Sequence, residues 1–162
     1  MSRKIDAMVA EKVFGWKWIE FISHDYDGIA HKIRVLAEPG MTVDDVCKRL
    51  PPKGGVSETA FVNSRCSTDP AAMMVVKARL LEIDREKHGG MTGLYSTWDP
   101  YDCYWKVKID WSDNTRYEAE HKDECVAWCL LGLAVCGLNE AEISNLKSQT
   151  SKADRPAEGG EP

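Results

Sequence analysis

Three side chains of the kinds that bind zinc recur at intervals of four residues: His121, Cys125 and Cys129. Residues four apart lie above one another on an α-helix, so this spacing predicts that the three share one helix edge. A metal-dependent enzyme using them would need a further ligand, and the close Cys-x-x-Cys pairs typical of structural zinc sites do not occur in the sequence. Because helical cysteines also pack as small buried residues, we favour packing and predict no metal site and no cofactor.

The sequence contains no other pattern that indicates a catalytic site. The chain contains six cysteines and four histidines, so a Cys–His pairing arises easily by chance. No Gly-x-Ser-x-Gly turn is present, and Gly89, Gly90 and Gly93 follow a predicted helix instead of leading into one, as a phosphate-binding loop would. We therefore assign no catalytic residues and expect a protein that is not an enzyme.

The segment Trp98–Tyr104 is the strongest candidate for binding, because it combines aromatic and carboxylate side chains. We predict a loop here, between a glycine-rich break and a strand that begins at Tyr104. Aromatic residues on loops are favoured at recognition surfaces because they offer a large rigid area at low entropic cost. The alternative is that Trp98 and Tyr101 pack into the core and only close the loop. The candidate binding residues are Trp98, Asp99, Tyr101, Asp102, Tyr104 and Trp105.

Composition and net charge limit the classes of protein and partner that suit this chain. The 162 residues suit one domain, and 43% hydrophobic with 29% charged residues is ordinary for a globular protein. The net charge of −5 argues against a nucleic-acid or membrane-surface partner, since phosphate-binding proteins usually carry a basic face. The N-terminal residues lack the apolar stretch of a secretory signal, and unpaired cysteines suit a reducing cytoplasm.

Helices are predicted from apolar residues at helical spacing and from capping residues. Asp69 and Pro70 are typical of a helix start, and Gly15 and Gly137 are typical of helix ends. Asn139 and the Glu three residues later are typical of a capping box. The acidic residue Asp6 falls outside the apolar stripe of the first helix. Predicted helices cover residues 5–13, 42–50, 70–88, 122–136 and 139–149.

Strands are predicted where apolar and polar residues alternate. Residues 104–111 alternate cleanly, with Trp105, Val107, Ile109 and Trp111 on one face, which predicts an antiparallel strand covered on that face. A turn through Asn114 leads into a return strand at residues 115–119. Further strands are predicted at residues 16–21, 29–36 and 59–62.

Three segments resemble those of small bacteriophage proteins with the phage ABA sandwich domain. Ile5–Trp16 resembles the N-terminal signature of that family. Cys66–Ala72 resembles its second-helix entry, although Cys66 stands where the family usually has tyrosine, and Cys125–Gly137 resembles its last core helix. The resemblance does not cover residues 19–63. It implies an α/β/α sandwich and a phage origin, and it supplies no catalytic residues.

We therefore expect an α/β protein with a three-layer α/β/α sandwich around a small, mainly antiparallel sheet. Residues 1–149 form one domain with an insertion at 19–63, and residues 150–162 form a disordered tail. The expected function is that of a non-enzymatic phage accessory protein in the host cytoplasm, binding a host or phage protein such as a defence component. The alternative is a small-molecule or nucleotide binder that stacks a ring on Trp98, Tyr101 and Trp105, and a third hypothesis is the metal-dependent enzyme. No nucleic-acid or membrane partner is expected, and the oligomeric state stays open.

Overall fold

The fold is known from a computed structural model, which describes residues 3–24, 27–49, 60–61, 65–87 and 90–151. These residues form five helices and six strands, so the predicted mixed α/β class is confirmed. In chain order the elements are α1 (Arg3–Lys12), β1 (Lys17–His24), β2 (Ala30–Ala37), α2 (Val43–Arg49), β3 (Ala60–Phe61), α3 (Pro70–Lys87), β4 (Met91–Asp99), β5 (Tyr104–Trp111), β6 (Arg116–His121), α4 (Glu124–Val135) and α5 (Glu140–Ser151).

The strands lie in two small sheets, where the sequence predicted one. Antiparallel strands β1 and β2 are joined by the short parallel strand β3, while β4, β5 and β6 form an antiparallel meander. The first sheet and α2 share a small core of Ile33, Val35, Ala37 and Val46. This core lies in the block 19–63, whose interpretation as an insertion stays a prediction; residues 25–26, 50–59 and 62–63 of that block are outside the described residues.

The alternation along β5 is confirmed. Val107, Ile109 and Trp111 are buried, and Trp105 is partly buried against the same core. The predicted turn is also present, since Asn114 has a φ of 65° between β5 and β6. The side of β5 that the sequence identified as apolar is therefore the side that faces the helices.

Strand β4 was not predicted, and this changes the position of the candidate binding segment. Trp98 and Asp99 were assigned to a loop, but they are the last residues of β4, and the loop contains only residues 100–103. The strand was missed because hydrophobicity does not alternate along it. The adjacent residues Leu94 and Tyr95 are both apolar, and both are exposed although they point to opposite faces. Gly93 beside a register irregularity added to the impression of a break.

Helix α4 lies at the centre of the main core. It contacts α1, α3 and α5 as well as strands β5 and β6. Ten of its twelve residues are buried, so it is covered on more than one side. A Cβ at Gly132 would lie in contact with methyl carbons of Val13 and Val76, at 3.4 Å from each, so a larger side chain there would crowd them.

The predicted caps at the starts of α3 and α5 are confirmed, whereas α4 begins at Glu124 and not at residue 122. Asp69 Oδ1 accepts a hydrogen bond from the Ala71 backbone N–H at 2.9 Å, at the start of α3. Asn139 and Glu142 form the predicted capping box, each accepting a backbone N–H of the other at 3.0 Å. Of the predicted disordered tail, residues 150 and 151 continue α5 and residues 152–162 lie outside the described residues.

The helices in the described part of the chain are all too short or too polar to cross a lipid bilayer.

We expect Gly132→Val to lower the free energy of unfolding by about 1–3 kcal/mol, because the added methyl groups would overpack the space between α4, α1 and α3. Urea denaturation with circular dichroism measures this change. Ala134→Val on the partly exposed side of the same helix is the matched control, with a cost below about 1 kcal/mol. A Gly132→Val protein as stable as wild type would contradict the close contact of the three helices.

Candidate binding surface at the β4–β5 hairpin

The turn between β4 and β5 is held in shape by one carboxylate. Asp99 Oδ1 accepts hydrogen bonds from the backbone N–H groups of Tyr101 at 3.0 Å and Asp102 at 3.3 Å. Cys103 adopts the left-handed conformation with a φ of 55°, and its thiol donates to the Pro100 carbonyl at 3.7 Å. Aspartate commonly fixes turns in this way, so the backbone of residues 100–103 has a defined conformation.

The second oxygen of the same carboxylate forms an ion pair. Asp99 Oδ2 lies 2.8 Å from Lys106 Nζ on the adjacent strand, and Asp102 and Glu120 lie 3.9 Å from the same nitrogen. The hydrogen bond from Lys106 is the main reason that the pKa of Asp99 falls below its ordinary value. The same bond raises the pKa of Lys106. The turn therefore keeps its charges over the physiological pH range.

The aromatic candidates are divided between the two faces of the hairpin. Trp98 and Trp105 are cross-strand partners on the face toward α4, with ring centroids 5.5 Å apart and planes tilted by 57°. Asp99 and Tyr104 are the next pair, and because side chains alternate along strands they point to the opposite face. The structure thus brings all the candidate residues to one end of the hairpin without gathering them on one surface.

Exposure bears on the alternative that Trp98 and Tyr101 pack into the core. Tyr101 is 96% exposed at the apex of the turn, so the alternative that it packs into the core is wrong. Trp98 is 42% exposed, whereas Trp105 is partly buried and packs against the main core. Trp105 therefore anchors the hairpin, and Tyr101 is the aromatic side chain that it presents.

A polar cluster next to this hairpin was not found from the sequence. Glu124 Oε1 accepts hydrogen bonds from Ser96 Oγ at 2.8 Å and Trp128 Nε1 at 3.2 Å, and Lys77 Nζ lies 3.4 Å away. The Lys77 ammonium also lies 4.3 Å from the centroid of the Trp128 ring. These contacts join β4, α3 and the start of α4. The one sequence signal was the spacing of Glu124 and Trp128 by four on a predicted helix.

The charge of Glu124 is favoured in this position. Burial raises its pKa, but the hydrogen bonds from Ser96 and Trp128, together with the Lys77 ammonium, outweigh burial and bring the pKa below its ordinary value. Each polar group in the cluster serves to hold elements together. We assign the cluster of Glu124, Ser96, Trp128 and Lys77 the role of positioning β4, and we assign it no catalytic role.

The predicted helix edge of His121, Cys125 and Cys129 is not formed. Asp123 caps α4 by accepting the Val126 backbone N–H at 3.1 Å, so the helix begins after His121, which is the last residue of β6. His121 Nδ1 instead accepts the Asp123 backbone N–H at 3.0 Å. Among the described residues, no group of three or more histidine, cysteine or acidic side chains is arranged to hold a metal ion.

Two thiols of the core, those of Cys125 and Cys129, are poor nucleophiles. The pKa of Cys129 is raised, first by its hydrogen bond with Cys66 and then by burial, and burial raises the pKa of Cys125 as well. Because the thiolate is the nucleophilic form, both groups are inert at neutral pH.

Asp6 lies in the core, contrary to the prediction that it falls outside the apolar stripe of α1. It is only 3% exposed, and its Oδ1 accepts the Ser67 backbone N–H at 2.8 Å. Burial raises the pKa of Asp6, while the hydrogen bonds from Ser67 and the Cys66 thiol, with the charge of Arg65, oppose that rise. Asp6 thereby ties α1 to the turn that precedes α3.

Comparisons with models of protein families, with curated proteins and with solved structures gave no match to this chain. The resemblance to the phage ABA sandwich domain rests on its sequence motifs alone.

Asp6 is expected to make stability depend on pH in a defined direction. A carboxyl group whose pKa is higher in the folded state binds its proton more tightly there, so its contribution to stability is complete below the unfolded pKa and is lost as the pH rises through the folded pKa. The free energy of unfolding of wild type should therefore fall relative to that of Asp6→Asn as the pH rises from about 4 to 7. Urea denaturation of both proteins across this range measures it.

A second variant separates the charge of Asp6 from its hydrogen bond. Asp6→Ala leaves the buried Ser67 N–H without its acceptor, which should cost about 1–3 kcal/mol more than Asp6→Asn at neutral pH. A wild-type advantage over Asp6→Asn that grew with pH would contradict the raised pKa.

Proposed function

We propose that this protein acts by binding another protein through the apex of the β4–β5 hairpin, without catalysis of its own. The observation that supports this function is Tyr101, an aromatic side chain that is 96% exposed on a turn fixed by hydrogen bonds. An exposed ring on a defined backbone loses little conformational entropy when it enters a partner's pocket, and tyrosine is enriched among residues that dominate binding energy.

The charges around Tyr101 indicate the chemistry of the partner surface. Asp102 is exposed beside it, with Lys106 3.9 Å away, and the whole chain carries a net charge of −5. A complementary partner would present an apolar pocket for the ring and basic side chains at the rim. Rim charges of this kind mainly affect the association rate and its dependence on salt.

The nucleotide-binding alternative has weaker support. It requires a ring to stack on Trp98, Tyr101 and Trp105, but the two indoles contact each other directly at a tilt of 57°. Tyr101 projects from the apex and is separated from that pair by the turn. A protein partner therefore accounts better for the arrangement of the three rings.

The biological setting of the proposal comes from the sequence motifs. We infer a phage accessory protein that acts in the host cytoplasm on a host or phage protein, such as a defence component. For the whole chain we propose the three-layer α/β/α sandwich that the resemblance implies. The packing of α4 between a sheet and other helices supports a layered arrangement.

The test uses the full chain as bait in a bacterial lysate, followed by titration of the purified captured protein. We expect Tyr101→Ala to weaken the affinity about 30-fold, which corresponds to the roughly 2 kcal/mol typical of a dominant contact residue. Ile22→Ala, which truncates an exposed apolar side chain on β1, is the control and should leave the dissociation constant unchanged. Asp102→Asn should lower the association rate and reduce its dependence on ionic strength.

Two results would overturn the proposal. One is a captured partner whose affinity is the same for Tyr101→Ala and wild type. The other is a nucleotide that raises the melting temperature of wild type but not of Trp98→Ala, because binding to the folded state is what raises apparent stability.

A further inference from the structure

The two carboxylates at the end of the β4–β5 hairpin differ in what they face. The side chain of Asp102 is 69% exposed, so it is open to a partner. The side chain of Asp99 is only 23% exposed, and both of its oxygens are in use. Oδ1 accepts two backbone N–H groups of the turn, and Oδ2 contacts Lys106. Asp99 is one of the candidate binding residues, yet its carboxylate is directed into the turn.

The backbone that carries Tyr101 needs bonds to hold its conformation. The ring of Pro100 fixes its own φ, so the conformational freedom of the turn lies in residues 101–103. Cys103 has a φ of 55°, in the left-handed region that is unfavourable for a residue with a Cβ. The observed turn is therefore not the conformation that these residues would prefer without further contacts.

Asp99 provides the contacts that offset this cost. The N–H groups of Tyr101 and Asp102 both donate to Oδ1, at 3.0 Å and 3.3 Å, so one oxygen fixes two consecutive residues. Hydrogen bonds to an ionised acceptor are stronger than those between neutral groups. The conformation of the apex therefore depends on one carboxylate.

The sheet holds that carboxylate in place through Lys106. This lysine lies on the middle strand β5, opposite Thr97 of β4 and Glu120 of β6. Its Nζ donates to Asp99 Oδ2 at 2.8 Å. The carboxylate is thus oriented from the sheet on one side and holds the turn on the other.

The geometry points to Asp99 as a positioning residue: we propose that its carboxylate sets the affinity of the apex by keeping Tyr101 in the conformation that binds, without contacting the partner. This inference rests on the proposed function. When only a fraction of a protein has the conformation that binds, the apparent dissociation constant rises in inverse proportion to that fraction. Loss of Asp99 lowers the population of the ordered turn, whereas loss of Tyr101 removes the contact itself.

The two kinds of loss have different kinetic signatures. A smaller population of the ordered turn slows association and leaves dissociation unchanged, because the complex that forms is the same. Loss of a contact mainly speeds dissociation. With the purified captured partner, we expect Asp99→Ala to slow association at least about fivefold, the effect of one net hydrogen bond, at an unchanged dissociation rate. Tyr101→Ala should instead speed dissociation.

Asp102→Asn is the matched control for the charge that Asp99→Ala removes. Both variants lose one carboxylate near the apex, so both weaken electrostatic attraction to a basic partner. At about 1 M NaCl this attraction is screened. The slower association of Asp99→Ala should persist there, whereas that of Asp102→Asn should disappear.

Nuclear magnetic resonance of the unbound full chain tests the ordering of the turn without any partner. We expect backbone amide order parameters of about 0.85 for Tyr101 and Asp102 in wild type, and below about 0.6 in Asp99→Ala. Lys106→Met removes the ion pair and leaves Asp99 in place, so it should lower these values by less.

The other turn of the same sheet provides a control for this measurement. Asp113 Oδ1 accepts the Thr115 backbone N–H at 2.9 Å between β5 and β6. Asp113→Ala is therefore the same substitution at a second turn-fixing aspartate, and it should leave the order parameters of residues 101 and 102 unchanged. Circular dichroism verifies that each variant is folded.

Wild-type order parameters at residues 101 and 102 in a folded Asp99→Ala variant would refute this inference. Faster dissociation of that variant would also refute it, because Asp99 would then be a contact residue. Unchanged order parameters in Lys106→Met would remove the role given to the ion pair. None of these results affects the proposed function, which fails separately if Tyr101→Ala binds the partner like wild type while the turn is ordered.

Discussion

The burial of α4 is the constraint on which the rest of the structure depends. A helix with ten of twelve residues buried cannot lie at a surface, so it needs cover on all sides. Strands β5 and β6 provide one side, and α1, α3 and α5 provide the others. At Gly132 this cover is close, because a Cβ there would lie 3.4 Å from methyl carbons of Val13 and Val76. With the helix layer fixed in this way, the inward face of the meander must be apolar and its end is free to extend beyond the core.

The hairpin shows how a stable core can support the exposed apex that we propose as a recognition element. Trp105 packs against the core and Trp98 packs on Trp105, so the end of the hairpin is anchored on its inner face. On the outer face the Asp99 carboxylate links the turn backbone to Lys106. The apex carrying Tyr101 therefore needs no burial of its own to keep its shape, and its aromatic ring stays available for a partner.

The sequence correctly predicted those parts of the fold that depend on residues close together in the chain. The alternation of β5 and the caps at Asp69 and Asn139 depend on local chemistry, and they were identified correctly. Strand β4 was missed because an edge strand with both faces partly exposed has no hydrophobic period. Asp6 was misplaced because its acceptor role depends on Ser67, 61 residues away. The Glu124 cluster joins three elements that no local pattern connects. Because β4 was missed, the sequence also did not predict that the candidate residues lie on two faces of the hairpin.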